Sequence, residues 1–197
     1  MKSETISGGL FIAFSRLNLS YQFYTMENEV IVNRVAESSL TTINLEAFYP
    51  AEEVVLFDLR SFLFMELILK EKDYREVLRQ HDWKQYNSKI VAITCTADAI
   101  IPMWAYMLAA AYLQPVAEQV VYGNVEEAIQ EVLFRNIRNI DIESYDGKRV
   151  VVKGCGEKPV GERAYLEISL LLRPVVKSIM YGEPCSTVPV YKKALNN

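Results

Sequence analysis

Three cysteines are the residues of this chain with the most reactive side chains. Cys95 ends an apolar run, Cys155 stands between two glycines, and Cys185 follows a proline in a turn-rich stretch. Three thiols cannot all pair within one chain, and their spacing is not that of a disulfide framework. We therefore expect free thiols in a reducing cytoplasm, where thiolates can bind metals or act as nucleophiles.

The elements that carry these thiols belong to an internal repeat, in which residues 82–123 match residues 141–182 without a gap. Tyr122-Gly123, for example, recurs as Tyr181-Gly182. Each copy predicts a strand, a helix and a second strand, because a β-branched run precedes a longer helical stretch. The predicted elements are Ile90–Ile93, a helix over roughly 99–118 and Gln119–Tyr122 in the first copy, and Val150–Val152, a helix over roughly 160–177 and Ser178–Tyr181 in the second.

The fold class that follows is α/β: a mostly parallel sheet built from two duplicated strand–helix–strand units, with helices packed on the sheet. Upstream, the pattern adds a strand at Val54–Phe57 and helices at Leu59–Leu69 and Lys72–Gln80. A further amphipathic helix over 125–138 connects the two copies. We expect the strand–helix–strand units to be parallel with right-handed crossovers.

In a parallel sheet, ligands bind beyond the carboxyl ends of the strands. Cys95 and Cys155 follow the first strand of each copy, and Cys185 follows the last strand, so we expect all three thiols at one edge. Residues with charged or hydroxyl groups would support them there: Lys153, Asp98, Glu183, Ser186 and Thr187.

Such a cluster allows three interpretations. The first is a thiolate site for an iron–sulfur cluster or zinc, with Asp98, Glu183, His81, water or a partner residue as a further ligand. The second is a thiol-dependent enzyme that uses Cys155 or Cys185. The third is that the cysteines have no shared role, since no Cys-x-x-Cys pair is present.

Net charge and the distribution of apolar residues indicate which classes of binding partner to expect. The chain carries a net charge of −4 and no long basic run, so we expect neither nucleic acid nor a membrane surface as its main partner. The predicted helix 99–118 is apolar nearly all round. A further layer of the fold or a second subunit should cover it, so a homodimer, or an interaction module that docks through this helix, is an alternative function.

The first 25 residues differ in character from the rest. We predict that residues 1–25 are a non-native or disordered extension and that residues 26–197 form a single α/β domain. The short apolar patch near residue 10 lacks the flanks of a signal peptide.

Three stretches resemble a known bacterial family, the domain-of-unknown-function family 2480. They are Thr96–Leu108, Val150–Cys155 and Lys177–Lys192, and the likeness extends from about Met26 to Lys192. Gly161 stands where a proline is expected in this family. The family has no assigned activity. The resemblance implies a genomic association with iron–sulfur assembly proteins as possible partners, which favours the metal interpretation of Cys155 and Cys185.

Overall fold

The computed structural model describes residues 40–154 and 156–194, which contain seven strands and four α-helices. Residues 1–25 and Cys155 lie outside the described residues, as do 26–39 and 195–197. The strands are β1 (Leu40–Asn44), β2 (Val54–Asp58), β3 (Ile90–Thr94), β4 (Gln119–Tyr122), β5 (Arg149–Lys153), β6 (Ser178–Glu183) and β7 (Ser186–Lys192). The helices are α1 (Glu71–Gln80), α2 (Met103–Leu113), α3 (Val125–Arg138) and α4 (Glu162–Leu172). Within the described ranges, no helix is long and apolar enough to cross a membrane.

The strands form two sheets. The first sheet has the order β1-β5-β6-β7, and the second has the order β2-β3-β4. All neighbours are parallel except β6 and β7, which form an antiparallel hairpin. Both β3-α2-β4 and β5-α4-β6 are therefore strand–helix–strand crossovers between parallel neighbours.

The second sheet is covered on both faces. Its central strand β3 is buried from Ile90 to Ile93, as the unbroken apolar run predicts. Helices α1 and α2 cover one face and contribute Tyr74, Ala105 and Leu113 to the core. The Tyr74 hydroxyl is buried there and donates to the Ala105 carbonyl at 3.2 Å.

Helix α3 packs against both sheets, through a different face of the helix for each. Ala128 and Val132 pack on the second sheet, while Leu133 and Ile137 join the core of the first sheet. The helix begins at a capping box, in which Asn124 and Glu127 each accept the other's backbone N–H. Because both faces of α3 are buried, its hydrophobic positions hold the two sheets in one compact unit.

The order of the strands along the chain interleaves the two sheets. Strand β1 precedes the whole second sheet and pairs with β5, so Leu40 lies opposite Arg149. Each of the first two strands ends in a short 3-10 turn, Leu45–Phe48 and Leu59–Phe62, capped by Asn44 and Asp58. The residue that begins each turn, Leu45 or Leu59, is fully buried.

The structure confirms a mixed α/β fold and corrects the expectation of one sheet. Several elements also differ in length. The helices expected over 99–118 and 160–177 are limited to α2 and α4, because Pro102 and Gly161 are the residues before their first turns and each helix ends before a proline.

The predicted helix Leu59–Leu69 is wrong. After the 3-10 turn, Phe64 and Ile68 form an isolated antiparallel bridge, and Met65 and Glu66 adopt positive φ angles of 52° and 58°. The difference from the expected α-helix begins at Asp58. Its carboxylate accepts the Arg60 N–H and closes a short local turn in place of the first turn of an α-helix.

Strand β7 was not expected from the sequence. The turn-rich stretch with Gly182, Pro184 and Pro189 indicated a loop, yet residues 186–192 pair with β6. Pro189 is compatible with a strand there because β7 is the last strand of its sheet, and an edge strand can lack one N–H donor.

Candidate functional site

The carboxyl ends of β1, β5 and β6 meet at one edge, which we call the first-sheet edge. The register aligns Asn44 with Lys153, and Val152 with Tyr181, so the three strands end level with one another. The chain leaves β5 at Lys153 and enters the segment Gly154-Cys-Gly156. This segment therefore starts beside the end of β6.

Cys185 lies in the turn of the hairpin between β6 and β7. Glu183 pairs with Ser186, which leaves Pro184 and Cys185 as the two turn residues. The thiol is free and exposed. Cys185 thus lies beyond the carboxyl end of β6, on the edge where β5 also ends.

An ion pair links the ends of the two strands that lead to Cys155 and Cys185. The Lys153 ammonium lies 3.3 Å from the Glu183 carboxylate, and both side chains are partly exposed. The pair brings a cation and an anion to the first-sheet edge. Its contribution to stability is small, since exposed ion pairs are screened by solvent.

The glycines on either side of Cys155 are positions of close packing. A Cβ at Gly154 would lie 2.7 Å from the Tyr165 hydroxyl oxygen and 3.2 Å from the Leu45 Cβ. The N–H of Gly156 donates to the Glu46 carboxylate, and so does the N–H of Glu157 at 3.3 Å. Glu46 therefore holds the chain that follows Cys155. A side chain at Gly156 would clash with the Glu46 carboxylate.

Cys95 belongs to the other sheet. It follows β3, is partly buried, and its thiol lies 3.7 Å from the Ala97 carbonyl oxygen. The carboxyl ends of β2 and β3 form the second-sheet edge, where Asp58 lies beside Thr96. The expectation that all three cysteines follow strands of one sheet therefore does not describe Cys95.

The carboxyl group of Asp58, at the second-sheet edge, has a lowered pKa. Burial alone would raise its pKa, but hydrogen bonds from the Thr96 hydroxyl and from the N–H groups of Arg60 and Thr96 outweigh that effect. The net pKa lies below the ordinary value of an aspartic acid. Asp58 is therefore a charged structural cap of the loop that follows Cys95.

The residues expected to support the thiols are divided between the two edges. Asp98 is exposed and follows β3, so it lies with Cys95. Glu183, Ser186 and Thr187 lie in the β6–β7 hairpin with Cys185. His81, the only histidine in the sequence, packs on Phe57 and Trp83 in the core of the second sheet. It is not part of the first-sheet edge.

The described residues contain no group of three or more histidine, cysteine or acidic side chains that could hold a metal ion. That search did not include Cys155, which lies outside the described residues. The site predicted from Cys155, Cys185 and Cys95 stays a prediction, as does the thiol-dependent enzyme.

Sequence reasoning missed the residues that shape the first-sheet edge from the side. Tyr165 of α4 and Tyr181 of β6 form an edge-to-face ring contact at 5.6 Å, and Glu46 holds the loop after Cys155. The tyrosines did carry a signal, because the repeat predicted from the sequence aligns them with Tyr106 and Tyr122, whose rings lie 5.8 Å apart. Glu46 precedes the repeat and carried none.

Helix α2 exposes an apolar surface. Ile100, before the helix, is 95% exposed, and Met103 and Met107 are each 71% exposed. Trp104 is half-buried and packs beside Tyr74. The interaction module predicted for residues 99–118 stays a prediction, and its available side chains are the methionines rather than Trp104.

Comparison with known proteins gives one match. No curated protein and no solved structure matches this chain. A family model described as "Protein of unknown function (DUF2480)" matches residues 29–193, which include all of the strands and helices described above. The protein belongs to the DUF2480 family.

Proposed function

We propose that the first-sheet edge binds a thiophilic metal ion or an iron–sulfur species through Cys155 and Cys185. The observation that carries this proposal is the adjacency of β5 and β6, whose ends are linked by the Lys153–Glu183 ion pair. Cys155 follows Lys153 by two residues, and Cys185 follows Glu183 by two residues. Two segments that leave neighbouring parallel strands at the same level can bring their thiols together.

The chemistry of the donors supports a soft metal. Thiolates favour zinc, copper(I) and iron–sulfur clusters over magnesium or calcium. Two thiolates are half of the tetrahedral set that zinc or a cluster iron takes. Glu183 or Glu157 could supply an oxygen ligand, and a second protein could supply the rest. An incomplete set of this kind suits a protein that holds a metal or cluster in transit.

The described residues on either side of Cys155 are held by contacts with other elements. Tyr165 packs closely against Gly154, and the Glu46 carboxylate accepts the N–H groups of Gly156 and Glu157. These contacts restrain the chain on both sides of Cys155. A restrained donor costs less conformational entropy on binding than a donor on a free loop.

We also infer that the two halves are duplicated units, as the repeat suggests. The ring pairs Tyr106–Tyr122 and Tyr165–Tyr181 support this, and so do the matching positive φ angles of Gly123 and Gly182, 124° and 118°. In this correspondence Gly154 matches Cys95 and Cys155 matches Thr96. Only the first-sheet edge would then have two thiols, and Cys95 becomes a natural internal control.

The test is anaerobic titration of the reduced full chain with Co²⁺, which gives a strong thiolate charge-transfer absorption when sulfur binds. We expect this absorption in the wild type and in Cys95→Ser, and its loss in Cys155→Ser and in Cys185→Ser. Reconstitution with ferrous iron and sulfide, followed by visible absorption, distinguishes an iron–sulfur species from a single ion. Far-ultraviolet circular dichroism confirms that each variant is folded.

Three results would overturn the proposal. The first is the absence of sulfur-to-metal absorption in the wild type with all thiols reduced. The second is equal loss in Cys95→Ser, since that thiol follows a strand of the second sheet and does not share the edge. The third concerns the other two variants. Loss in only one of the other two variants would assign the site to a single thiol and contradict the shared pocket.

A further inference from the structure

We propose that two copies of this chain pair through β4, antiparallel, and join their two second sheets into one. The surface is separate from the first-sheet edge, so this inference does not depend on the cysteines. It concerns Gln119–Tyr122 and the helices on either side of that strand.

Strand β4 has an unpaired outer edge among the described residues. It is the last strand of the second sheet, and its inner edge is bonded to β3. The Gly123 N–H donates to the Ile93 carbonyl at 3.0 Å, so it points inward. Because backbone groups alternate along a strand, the N–H and C=O groups of Val120 and Tyr122 point outward. These are the groups that an added strand would bond.

The first sheet carries a strand at the matching place. There β6 follows α4 as β4 follows α2, and β7 pairs antiparallel with its outer edge. Ile179 and Tyr181 of β6 lie opposite Tyr191 and Val188 of β7. The same fold thus stabilises this edge in one sheet with an antiparallel strand. The second sheet contributes no such strand of its own within residues 40–154 and 156–194.

The edge of β4 also lacks the features that keep edge strands from pairing. Strand β7 contains Pro189 and pairs through a bulge beside it, and both features block further addition. The sequence of β4 is Gln-Val-Val-Tyr, with no proline and no charge. Unprotected edges of this composition pair readily with another strand.

Grooves on both faces of β4 leave room for a strand and its side chains. One, of about 660 Å³, lies between β4 and α3, and the other, of about 620 Å³, lies between β4 and α2. Apolar side chains border the edge: Tyr122 is 75% exposed and Met107 is 71% exposed. An added strand would bury these groups.

The charges on α3 favour a second copy as the occupant. Glu126 and Glu127 lie at the end of α3 nearest to Tyr122, and Arg135 lies at the other end, bonded to Gln119 at 2.7 Å. A two-fold axis at Val121 would bring the acidic end of one α3 toward Arg135 of the other copy. Such an isologous contact closes on itself and satisfies both edges at once.

The experiment measures the oligomeric state of the full chain by sedimentation over a range of concentrations. We expect a reversible monomer–dimer equilibrium. Tyr122→Lys places a charge in the shared sheet and raises the dissociation constant about 100-fold or more. The control is Leu170→Lys, since Leu170 is also exposed, at 72%, but lies on α4 away from β4. It should leave the equilibrium unchanged.

Amide hydrogen exchange supplies a second measurement that does not rely on a variant. The N–H groups of Val120 and Tyr122 should become protected as concentration rises, while exposed loop amides stay unchanged. A charge reversal, Arg135→Glu, should weaken the dimer, and adding Glu126→Arg should restore it. A wild type that stays monomeric, or a dimer that tolerates Tyr122→Lys and leaves both amides unprotected, overturns the proposal.

Discussion

The caps of the two 3-10 turns offer a direct test of how the halves differ. Asp58 accepts the N–H of Arg60 at 2.9 Å and the N–H of Thr96 at 3.0 Å, and its second oxygen accepts the Thr96 hydroxyl at 2.5 Å. The corresponding Asn44 accepts only the N–H of Glu46, at 3.2 Å, among the bonds of its side chain in the described residues. Within the described residues, Asp58→Ala therefore removes three such bonds and Asn44→Ala removes one.

The magnitude follows from those bonds. Loss of a capping side chain costs about 1 kcal/mol of unfolding free energy, which is the expectation for Asn44→Ala. Asp58→Ala also removes two charge-assisted bonds to Thr96, and we expect a total of about 3 kcal/mol. For a chain of this size, the melting temperature would fall by roughly 2–4 °C for Asn44→Ala and by roughly 6–12 °C for Asp58→Ala.

Urea unfolding at neutral pH, followed by circular dichroism, measures both variants. Equal losses for Asp58→Ala and Asn44→Ala would refute the bonding argument. The pH dependence is a second check. Because the pKa of Asp58 is lowered in the folded state, its contribution is fully present above the unfolded pKa of about 4 and disappears as pH falls through the folded pKa. Asp58→Asn should therefore approach the wild type in stability at acidic pH.

Two other pairs of variants test backbone strain and packing. Gly123 has a φ angle of 124°, and an added Cβ would lie 2.6 Å from the Glu127 carboxylate, whereas Gly147 has a φ angle of 64° and open space around it. Gly147→Ala should therefore cost about 1 kcal/mol of unfolding free energy. Gly123→Ala should cost clearly more, as measured by urea unfolding. Leu133 is fully buried on α3, so Leu133→Ala should cost about 2–5 kcal/mol of unfolding free energy by the same assay. The exposed Leu170→Ala should cost less than about 0.5 kcal/mol, and a similar loss for both would contradict the assigned core.

Much of the secondary structure was predictable from the sequence. The predicted span 125–138 agrees with α3, and Gln119–Tyr122 agrees with β4, because helical spacing and β-branched runs are local properties. The division into two sheets was not predictable in this way. It depends on which distant strands pair, and the pairing of β1 with β5 leaves no local mark.

The candidate site shows the same limit. The neighbouring positions of β5 and β6 were not predictable from the sequence. Strand direction predicted one shared edge for the three thiols, and β5 and β6, which precede Cys155 and Cys185, are parallel. It failed for Cys95, because that argument assumed one sheet. The role of Glu46 was also out of reach, since its carboxylate meets the N–H of Glu157 only in the folded chain.

The interleaved order of the strands has a consequence for biosynthesis. Strand β1 leaves the ribosome early but finds its partner β5 only after the chain has reached Arg149. The second sheet lies wholly within that interval, so it can assemble first. Until then β1 is an unpaired edge on a nascent chain, and non-local pairing of this kind slows folding. In a circularly permuted chain with β1 placed after β7, β5 would be synthesised before β1. The interval in which β1 has no partner would then be shorter.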